Sequence, residues 1–508
     1  MRADYRMAKE TRFQSRMVGV NAAGSGADYH YRTEAAFFKC IERARYFQRN
    51  DPIVGQGVRR LVANIVQDGF TLDIDTGDKG LDSELKARWY DWSSDPDQCH
   101  SEGEMTFNSL ERLLLSSVVV DGDAIILPLK TGSLQMVEAH RLRTPRNTTK
   151  NVVHGVLMDD AAKRLEYWLT KDDIGLNQVL KNVSDIQRYP ARDSEGNRQV
   201  LHIYNPDRFS QRRGVTALAP VGDMVGFHDD IQFATLVKAQ TASLIGLLHE
   251  RGANWEPLGD STFGGQTTES MPGGSTRTIQ EIGAGLEFFS DKDEKLSAFS
   301  PNIPSPEFFP HAMMILQFIS INLDLPVCVL LLDPSNTNFS GWRGAIDQAR
   351  LRFKQIQRWL VGAFHSPVYR WKVRQWLADE PAMNRMMDRG DVRVFAHRWN
   401  PPTFPYIEPM TDASSDLLQQ RNGLNSPRRI QAARGRDWDD VSTEIVDDNF
   451  MAIDKAIAKA AEINAKHPDS NVHWRELISL PTPDGMQVNV VAGGQQPNQQ
   501  PGGQTNDR

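Results

Sequence analysis

A helix, a short polar loop and a longer helix, between Ser305 and Pro367, constrain the fold of this chain most. Ser305-Pro306-Glu307 has the residue types that begin a helix: a hydroxyl cap, a proline at the first helical position and an acid in the first turn. The first helix is mostly apolar and ends near Pro326. Two helices joined in this way hold the loop between them at a defined place, such as the rim of a pore or of a binding site.

The second helix is predicted over Gly341 to Ser366, with Ser340 as its cap. Its apolar residues recur at alternating spacings of three and four, which is typical of a helix packed along its whole length, and they are Ile346, Ala349, Phe353, Ile356, Leu360 and Ala363. At the usual rise per residue this helix would be roughly 40 Å long. Pro367 is expected to break it, with Val368 to Leu377 continuing at a kink.

The joining loop contains Asp333-Pro334-Ser335-Asn336-Thr337-Asn338, a run of turn and capping residues. All of its polar side chains are short, and only Asp333 carries a charge. The sequence therefore predicts a tight, exposed and nearly uncharged loop.

Size and composition allow two to four domains in the 508 residues, with charged and apolar fractions ordinary for a soluble globular protein. No run of 18 apolar residues is present, and the first residues lack the apolar core of a signal peptide. Cys40, Cys99 and Cys328 are far apart and odd in number, which argues against a disulfide framework or a zinc cluster. We therefore expect synthesis in a reducing cytoplasm.

The net charge of −7 bears on possible partners. Proteins that hold nucleic acid tightly usually carry a basic excess, because much of the affinity comes from neutralised phosphates. Either DNA is not a partner of this chain, or DNA must pass it without adhering.

Along the chain, residues 1 to 30 read as a basic arm, and residues 50 to 210 as a mixed α+β region. Predicted paired strands cover Val152 to Leu157 and Leu165 to Leu169, and Val200 to Tyr204 forms another strand. A long helical run is predicted from Ala217 or Pro220 to Arg251. Asp223, Asp229 and Asp230 lie in its first half, either on a solvated face or facing a lumen.

The later part of the chain is predicted to alternate loops and helices. Gly252 to Gly285 is rich in Gly, Ser and Thr and is expected to be a mobile loop. The remaining predictions are a hairpin of 286–289 with 296–299, a strand at 392–396, and helices at 411–422, 426–434 and 440–465, the last capped by Asp439 or Ser442. The tail from Gly493 lacks the apolar residues needed to order it.

A search for catalytic motifs finds no phosphate loop, nucleophile elbow, zinc helix or CxxC pair. A metal-dependent nuclease would need clustered carboxylates, and the candidates Asp121, Asp123, Asp159, Asp160, Asp229 and Asp230 lie on different predicted elements. Asp121-Gly122 is interpreted as turn chemistry at a helix-to-strand junction, and His202 as a hydrogen-bonded structural histidine. The sequence predicts no enzyme activity, no metal and no cofactor.

Several short segments carry a resemblance over nearly the whole chain. They are residues 21–27 (NAAGSGA), 49–52 (RNDP), 62–69 (VANIVQDG), 211–215 (QRRGV), 299–302 (FSPN), 335–340 (SNTNFS) with Arg343, 405–409 (PYIEP), 423–426 (GLNS) and 434–437 (RGRD). In this order and spacing the chain resembles the lambda-type portal proteins of tailed bacteriophages. It departs from the family at Gly341 and Trp342 and in the Gly/Ser-rich loop 252–285.

The resemblance implies a helix-rich α+β portal fold with wing, stem, clip and crown, assembled as a ring of twelve subunits at one vertex of a capsid. The implied regions are a flexible arm (1–30), wing (31–215 and 341–410), stem helices (216–251 and 306–323), clip (252–305), tunnel loop (324–340), crown helices (411–467) and flexible tail (468–508). The long helix of 341–366 would belong to the wing.

The resemblance also implies which residues line the channel. They are Asp333, Ser335, Asn336, Thr337 and Asn338 of the loop and, as a second set, Asp223, Asp229 and Asp230 of the stem. Uncharged loop residues would touch double-stranded DNA without holding it, and the stem acids would repel phosphates. The implied partners are copies of the same chain, the terminase large subunit, head-tail adaptor and completion proteins, and the major capsid and scaffold proteins, without a membrane.

Two other classes of function stay open from the residues alone. One is a DNA-processing nuclease of a mobile element, and the other is a different structural protein of a virion, such as a tail or baseplate component. Rings with a central hole in electron micrographs would favour a portal, whereas metal-dependent cleavage of plasmid DNA would favour a nuclease.

Overall fold

The computed structural model describes residues 34–148, 152–176, 178–209, 211–243, 246–251, 266–270, 276–280, 294–299, 308–335, 337–379, 393–404, 409–434, 436–467, 469 and 471–478. The chain divides into two units, Met1–Pro409 and Met410–Arg508. The predicted basic arm lies outside the described residues, as does Ser305-Pro306-Glu307. Among the helices of the described ranges, none combines the length and apolarity needed to cross a lipid bilayer.

The first unit begins with two helices, α1 (Glu34–Asn50) and α2 (Pro52–Val66), which meet at a sharp junction. Asp51 caps α2, since its Oδ1 accepts hydrogen bonds from the backbone N–H groups of Ile53 at 2.9 Å and Val54 at 2.7 Å. Pro52 fits here because the first helical position needs no N–H donor. The Asp-Pro pair therefore ends one helix and starts the next.

A short strand and three helices follow, and then a three-stranded sheet. They are β1 (Thr71–Ile74), α3 (Lys79–Ser94), α4 (Pro96–Cys99), α5 (Phe107–Asp121), β2 (Asp123–Pro128), β3 (Leu134–Val137) and, later in the chain, β8 (Leu201–Tyr204). The sheet is antiparallel in the order β3-β2-β8, with Ile125 opposite both Val137 and His202. All residues of β2 but Pro128 are buried, which explains its continuous apolar run.

A second antiparallel sheet has the order β4-β5-β6-β7, formed by β4 (Val152–Val153), β5 (Val156–Met158), β6 (Arg164–Thr170) and β7 (Ile186–Pro190). The single strand predicted for Val152 to Leu157 is thus two strands. The reason is a turn at His154 and Gly155, which both have positive φ values of 51° and 78° and cannot continue an extended strand.

The helical run predicted from Ala217 or Pro220 to Arg251 is wrong at both ends. The helix is α6 (Gly222–Ser243), and β9 (Gly246–Arg251) follows it. β9 pairs antiparallel with β12 (Glu294–Phe299), so a distant strand satisfies the backbone groups that a longer helix would have bonded internally. Pairing between residues far apart in sequence thus overrides local helix propensity.

The region predicted as a mobile loop contains another strand pair, β10 (Gln266–Ser270) with β11 (Thr276–Gln280). The predicted hairpin of 286–289 with 296–299 falls partly on residues that are not described, and on the described side β12 pairs with β9. Residues 286–289 lie outside the described residues. Threonines, which favour strands, make up part of both strands of the β10–β11 pair, and the glycine-rich composition concealed them.

The two helices predicted on either side of the polar loop are α7 (Phe308–Asn322) and α9 (Phe339–Leu360). Two details differ from expectation. The loop contains a short helix, α8 (Val327–Leu331), and the cap of α9 is Asn338 instead of Ser340, because Asn338 Oδ1 accepts the N–H of Gly341 at 2.7 Å.

Pro367 does not break the helical rod. Residues Val361–His365 form a π-helical turn, in which the N–H of Ser366 bonds to the carbonyl of Val361, and α10 (Ser366–Asp379) continues from it. The wider turn absorbs the proline, which lacks an N–H and would clash in a regular helix.

The strand predicted at 392–396 is displaced along the chain. β13 (His397–Asn400) pairs antiparallel with β1, and Leu72 lies opposite Trp399. Residues 393–396 instead form a turn, closed by a hydrogen bond from the N–H of Ala396 to the carbonyl of Arg393 at 2.8 Å. The apolar alternation of 392–396 was misread because a turn also buries Val394.

Two large cores and two smaller apolar clusters stabilise the first unit. The first core contains Phe37, Ile65, Ile319 and Phe353, from α1, α2, α7 and α9. The second core is aromatic and brings Trp89, Phe107, Phe364, Tyr369 and Trp399 together, and Phe107 stacks on Phe364 with ring centroids 5.0 Å apart. Two elements connect these cores. One face of α5 packs in the first core and another face in the second, and the continuous helix formed by α9, the π-turn and α10 runs from the first core to the second.

In its described part, the second unit contains three α-helices, α11 (Pro409–Arg421), α12 (Pro427–Ala433) and α13 (Trp438–Lys466), and a short 3-10 helix at Trp474–Glu476. Ser426 caps α12 by accepting the N–H of Arg429. The cap predicted for the last helix is wrong, since α13 is capped by Asp437 and not by Asp439 or Ser442. Part of the predicted flexible tail is ordered, because Asn464 exchanges two hydrogen bonds of 2.9 Å with the backbone of Val472.

Candidate functional site

The base of the loop between α7 and α9 is anchored on α2. The Arg60 guanidinium donates a hydrogen bond of 2.7 Å to the carbonyl of Val329 and also bonds that of Leu330. Leu330 is buried, and a methyl group added to Gly57 would lie 2.7 Å from Leu323. Glycine at this position therefore lets α8 and the end of α7 pack closely on α2, which fixes where the loop leaves the first core.

The tip of the loop is exposed and bonded only locally. Asp333 Oδ1 accepts the N–H of Ser335 at 2.9 Å, and the Thr337 hydroxyl donates to the carbonyl of Pro334 at 3.1 Å. Hydrogen bonds from the side chain and backbone of Ser335 lower the pKa of Asp333. Asn338 is occupied as the cap of α9. Asn336 lies outside the described residues. The tip thus presents one carboxylate among neutral polar groups.

The acids predicted for the stem lie in the first half of α6, which packs against α7. Asp223 and Asp230 are seven residues apart and therefore share a helix face, whereas Asp229 is turned about 100° from Asp230. Asp223 is half-buried and the other two are exposed. Burial raises the pKa of Asp51, the cap of α2, and the charge of Asp229 adds to that rise. Asp229 therefore lies close enough to Asp51 for the two charges to interact.

A buried ionic network at the start of β2 was missed by the sequence analysis, which interpreted this junction as turn chemistry. Asp123, Arg213 and the imidazole of His202 are all inaccessible to solvent. The guanidinium of Arg213 binds both carboxylate oxygens of Asp123, one of them at 3.1 Å, and also donates to the carbonyls of Ala139 at 2.7 Å and Leu142 at 2.9 Å. Arg213 therefore ties three separate segments of the chain together.

The hydrogen bonds around His202 define its tautomer. Arg164 donates to Nδ1 at 3.2 Å, so the proton is on Nε2, which donates to Asp123 at 2.8 Å. Burial lowers the pKa of His202 to about 4 although Asp123 opposes that shift. Burial alone would raise the pKa of Asp123, but the charge of Arg213 and the bond from His202 outweigh it and hold that pKa well below its usual value. His202 is the structural histidine that the sequence predicted.

The glycine of the 211–215 segment has a related role. A methyl group on Gly214 would lie 1.8 Å from the carbonyl oxygen of Gly122, which itself has a φ of 96°. The segment therefore places Arg213 in the core because the adjacent backbone passes directly over the helix-to-strand turn. Asp121, at the same turn, is paired with Arg45 at 2.6 Å.

The sequence contained a signal for this network. An acid that begins an otherwise apolar strand, as Asp123 does in Asp-Ala-Ile-Ile-Leu, indicates a buried charge that needs a partner. Within the described ranges, no group of three or more His, Cys, Asp or Glu side chains is arranged to hold a metal ion.

The fold and these features define a helix-rich α+β protein in which α7 and α9, both packed on the first core, deliver a short polar loop to the surface. The family described as "Phage portal protein, lambda family" matches residues 13–357, which is more than half of the chain. The chain therefore belongs to the lambda family of phage portal proteins, as the residue motifs predicted. The matched range spans both the Arg213 network and the loop after α7.

A curated relative agrees with this family. The chain is 23% identical over 485 residues to a "Probable portal protein" of Halomonas phage phiHAP-1, covering 91% of this chain and 89% of the relative. Portal proteins of this family are structural components of virions.

Solved structures with a similar fold come from gene transfer agent particles. A chain of the virion of a native particle gives a TM-score of 0.48 at 11% identity, covering 82% of this chain and 97% of that one. Chains from the neck of an empty and of a native particle give TM-scores of 0.47 and 0.44, each at 11% identity and each covering 78% of this chain and 93% of the other.

Proposed function

We propose that twelve copies of this chain form a ring at one vertex of a capsid and that double-stranded DNA passes through its centre during packaging and ejection. The observation that carries the proposal is the apolar surface of α6 and α7. Phe233 and Leu236 on α6 are 69% and 68% exposed, and Phe309 and Ile321 on α7 are 65% and 72% exposed. Large exposed apolar side chains on two helices that pack together favour an interface, and neighbouring copies in a closed ring would cover them.

The loop after α7 supports the passage of DNA. Because α6 packs against α7, a ring that buries their apolar faces would hold every copy of the loop at one height around the axis. Asp333, Ser335, Asn336, Thr337 and Asn338 are our proposed channel residues. Each cation that contacted a phosphate would add salt-dependent affinity, and a neutral polar tip avoids that retention.

The acids of α6 would assist by repulsion. Asp223 and Asp230 share one helix face, and on the inner surface of a ring they would repel the phosphates and keep the duplex centred. Asp229 belongs to the same proposed set, although it is turned toward the cap of α2.

The proposed regions follow the corrected elements. The wing comprises 31–215 and 341–410, the stem comprises α6 and α7, the clip includes β9 to β12, residues 324–340 form the tunnel loop, and α11 to α13 form the crown. The proposed partners are the terminase large subunit, the head-tail adaptor and completion proteins, and the major capsid and scaffold proteins. No bond-making step is assigned to the chain.

Electron microscopy of the purified chain tests the ring. We expect particles with a central hole and a mass of twelve chains of 57.2 kDa each. Phe309→Asp with Ile321→Asp should abolish these particles, because it places charges on the surface to be buried. Tyr90→Asp is the matched control, since Tyr90 is equally exposed, at 70%, but lies on α3. Monomers from the unmodified chain, or rings from the double variant, would contradict the proposal.

A further inference from the structure

A cleft of about 690 Å³ in the first unit collects cations from three elements. Its walls are the end of β2 with the turn after it, the segment 192–201 between β7 and β8, and α10. Five exposed cationic side chains line it: Lys130, Arg192, Arg198, Arg370 and Arg374. We call this the basic cleft. Its charge is opposite to the −7 of the whole chain, so the cations are concentrated here and not spread evenly.

Like charges are adjacent at two places in the basic cleft. Arg192 and Arg198 are direct partners in an antiparallel bridge, and Arg370 and Arg374 are four residues apart on α10. Each arrangement is destabilising on its own, by a few tenths of a kcal/mol. Two such pairs facing one concave space indicate a ligand that is anionic.

Few carboxylates among the described residues neutralise the positive charge of the basic cleft. Asp193 is the single described carboxylate in the lining, and its oxygens accept hydrogen bonds from Asn197 at 2.8 Å, Glu195 at 2.9 Å and Gln199 at 3.1 Å. No ion pair between described residues joins any of the five cations to a carboxylate. Arg192 donates to the carbonyl of Gly196, and Arg374 lies 5.3 Å from the ring of Phe395, which leaves further N–H donors on each guanidinium.

The basic surface continues beyond this cleft. Arg192 and Arg198 also line a smaller cleft of about 350 Å³, together with Lys163 and Arg164. A ligand longer than the basic cleft would therefore meet further cations at that end.

The shape and lining favour carboxylates of a protein over phosphates of DNA. A volume of this size matches a few side chains, whereas a duplex is a convex rod that a small concave site cannot enclose. Single strands are usually held by successive stacked aromatic rings. Trp371 is the single aromatic residue of the described lining, and Lys372 already lies 5.6 Å from its ring. Leu129, Leu201 and Pro367 add apolar surface.

We propose that the basic cleft is a docking site for a short segment of a partner protein that is rich in aspartate and glutamate and carries interspersed apolar residues. The planar guanidinium groups bind its carboxylates through paired hydrogen bonds, and the apolar lining covers its aliphatic side chains. This proposal does not depend on the number of copies in a ring or on the passage of DNA.

Fluorescence anisotropy on the full chain tests it. The probe is a labelled peptide in which pairs of glutamates alternate with single leucines, and the matched peptide has glutamine in place of glutamate. We expect the first peptide to bind, more weakly as salt rises from about 50 mM, and the second to bind at least tenfold more weakly. Arg370→Glu with Arg374→Glu should weaken binding of the first peptide on the order of tenfold or more, because two charge-assisted contacts become repulsive.

Controls separate the cleft from general charge. Arg59→Glu with Lys171→Glu removes two exposed cations elsewhere on the same unit and should leave peptide binding within about twofold. If the Arg370 and Arg374 reversal fails to fold, Arg370→Gln with Arg374→Gln gives the same test without new charges. Electron microscopy of the same samples reports ring formation separately.

Three results would overturn the proposal. The first is equal binding of the glutamate and glutamine peptides by the unmodified chain. The second is a reversal or glutamine variant that binds like the control. The third is displacement of the peptide by an equal or lower concentration of double- or single-stranded DNA, which would assign the basic cleft to nucleic acid.

Discussion

Arg213 has an unusual position for an arginine, since its side chain is completely buried and bonds to a carboxylate and three carbonyl groups. A buried ionic network contributes little to the free energy of unfolding relative to apolar side chains of the same volume. The loss of one member, however, leaves an uncompensated charge in the core. The network therefore makes the junction of α5, β2 and the 211–215 segment intolerant of single changes.

Replacing Arg213 should show this intolerance. We expect Arg213→Met to lower the free energy of unfolding by about 3–5 kcal/mol, because Asp123 stays buried without its cation. Arg352→Met is the control, since Arg352 pairs with Asp324 at 3.0 Å but both side chains are over 40% exposed, and its loss should change the free energy by less than about 1 kcal/mol. Urea unfolding followed by tryptophan fluorescence measures both. Equal changes in the free energy of unfolding for the two variants would mean that the buried ion pair contributes no more to stability than the exposed one.

The pH dependence of stability should report His202. Burial lowers its pKa to about 4 in the folded chain, whereas the unfolded histidine takes up a proton near 6.5. As pH falls from about 6.5 to 4, the unfolded state gains a proton that the folded state does not, so stability should decrease by up to about 3 kcal/mol from this group.

His202→Gln should flatten that part of the curve, because glutamine can still donate to Asp123 but does not titrate. The measurement is the free energy of unfolding at several pH values for both proteins, and the difference in slope between pH 6.5 and 4 is the result of interest. Parallel curves would show that His202 is not held neutral.

At the scale of elements, the loop after α7 is held from both ends. Arg60 and Leu330 fix its base on α2, and Asn338 fixes the start of α9. Asn338 is thus both a proposed channel residue and a helix cap, and its replacement would mix two effects, since loss of such a cap costs about 1 kcal/mol. Ser335 and Thr337 separate them, because they are exposed and only bonded within the tip.

Ser335→Lys with Thr337→Lys should leave folding and rings intact but impair DNA packaging or release, because twelve copies would place a belt of cations around the duplex. Packaged DNA per particle in a complementation assay measures this effect. The matched control is Ser335→Gln with Thr337→Gln, which adds length without charge and should package normally. Normal packaging by the lysine variant would place the loop away from the DNA path.

Local patterns predicted the elements whose residues act on near neighbours. The three-four apolar spacing of α9 and the turn and capping residues of the loop before it are each encoded within a few residues. The errors occur where distant segments decide. β9 is a strand because β12 lies beside it, and the helical rod continues through Pro367 because a π-turn accommodates the proline.

The position of the polar loop in the sequence was predictable, but the residues that anchor it to the rest of the fold were not. The loop between α7 and α9 follows from its turn residues, whereas Arg60, its anchor, is about 270 residues away in sequence. The partners Asp123 and Arg213 are similarly separated, by 90 residues, so only the three-dimensional structure pairs them.

For the whole molecule, the two units have separate interiors. The clusters of buried apolar residues that include Phe37, Trp89, Val156 and Trp168 all lie in the first unit. In the second unit, the described buried apolar residues are Ile430, Ala456 and Ala460. The first unit should therefore fold without the second.

Truncation after Pro409 tests this separation. We expect the shortened chain to keep the main calorimetric unfolding transition of the full chain within a few degrees, because its two cores are complete. A control truncation after Asp379 removes β13, and with it Trp399 of the second core, and should lower the transition by considerably more. Similar losses in both would indicate that the second unit is needed for folding of the first.

The π-turn at Val361–His365 sets the relative phase of two cores. Upstream of it, Phe353 lies in the first core, whereas Phe364 within the turn and Val373 downstream of it lie in the second. One residue of insertion or deletion in a helix rotates everything beyond it by about 100°. Deleting one residue from this turn would therefore rotate α10 and move its aromatic side chains away from Trp89 and Trp399.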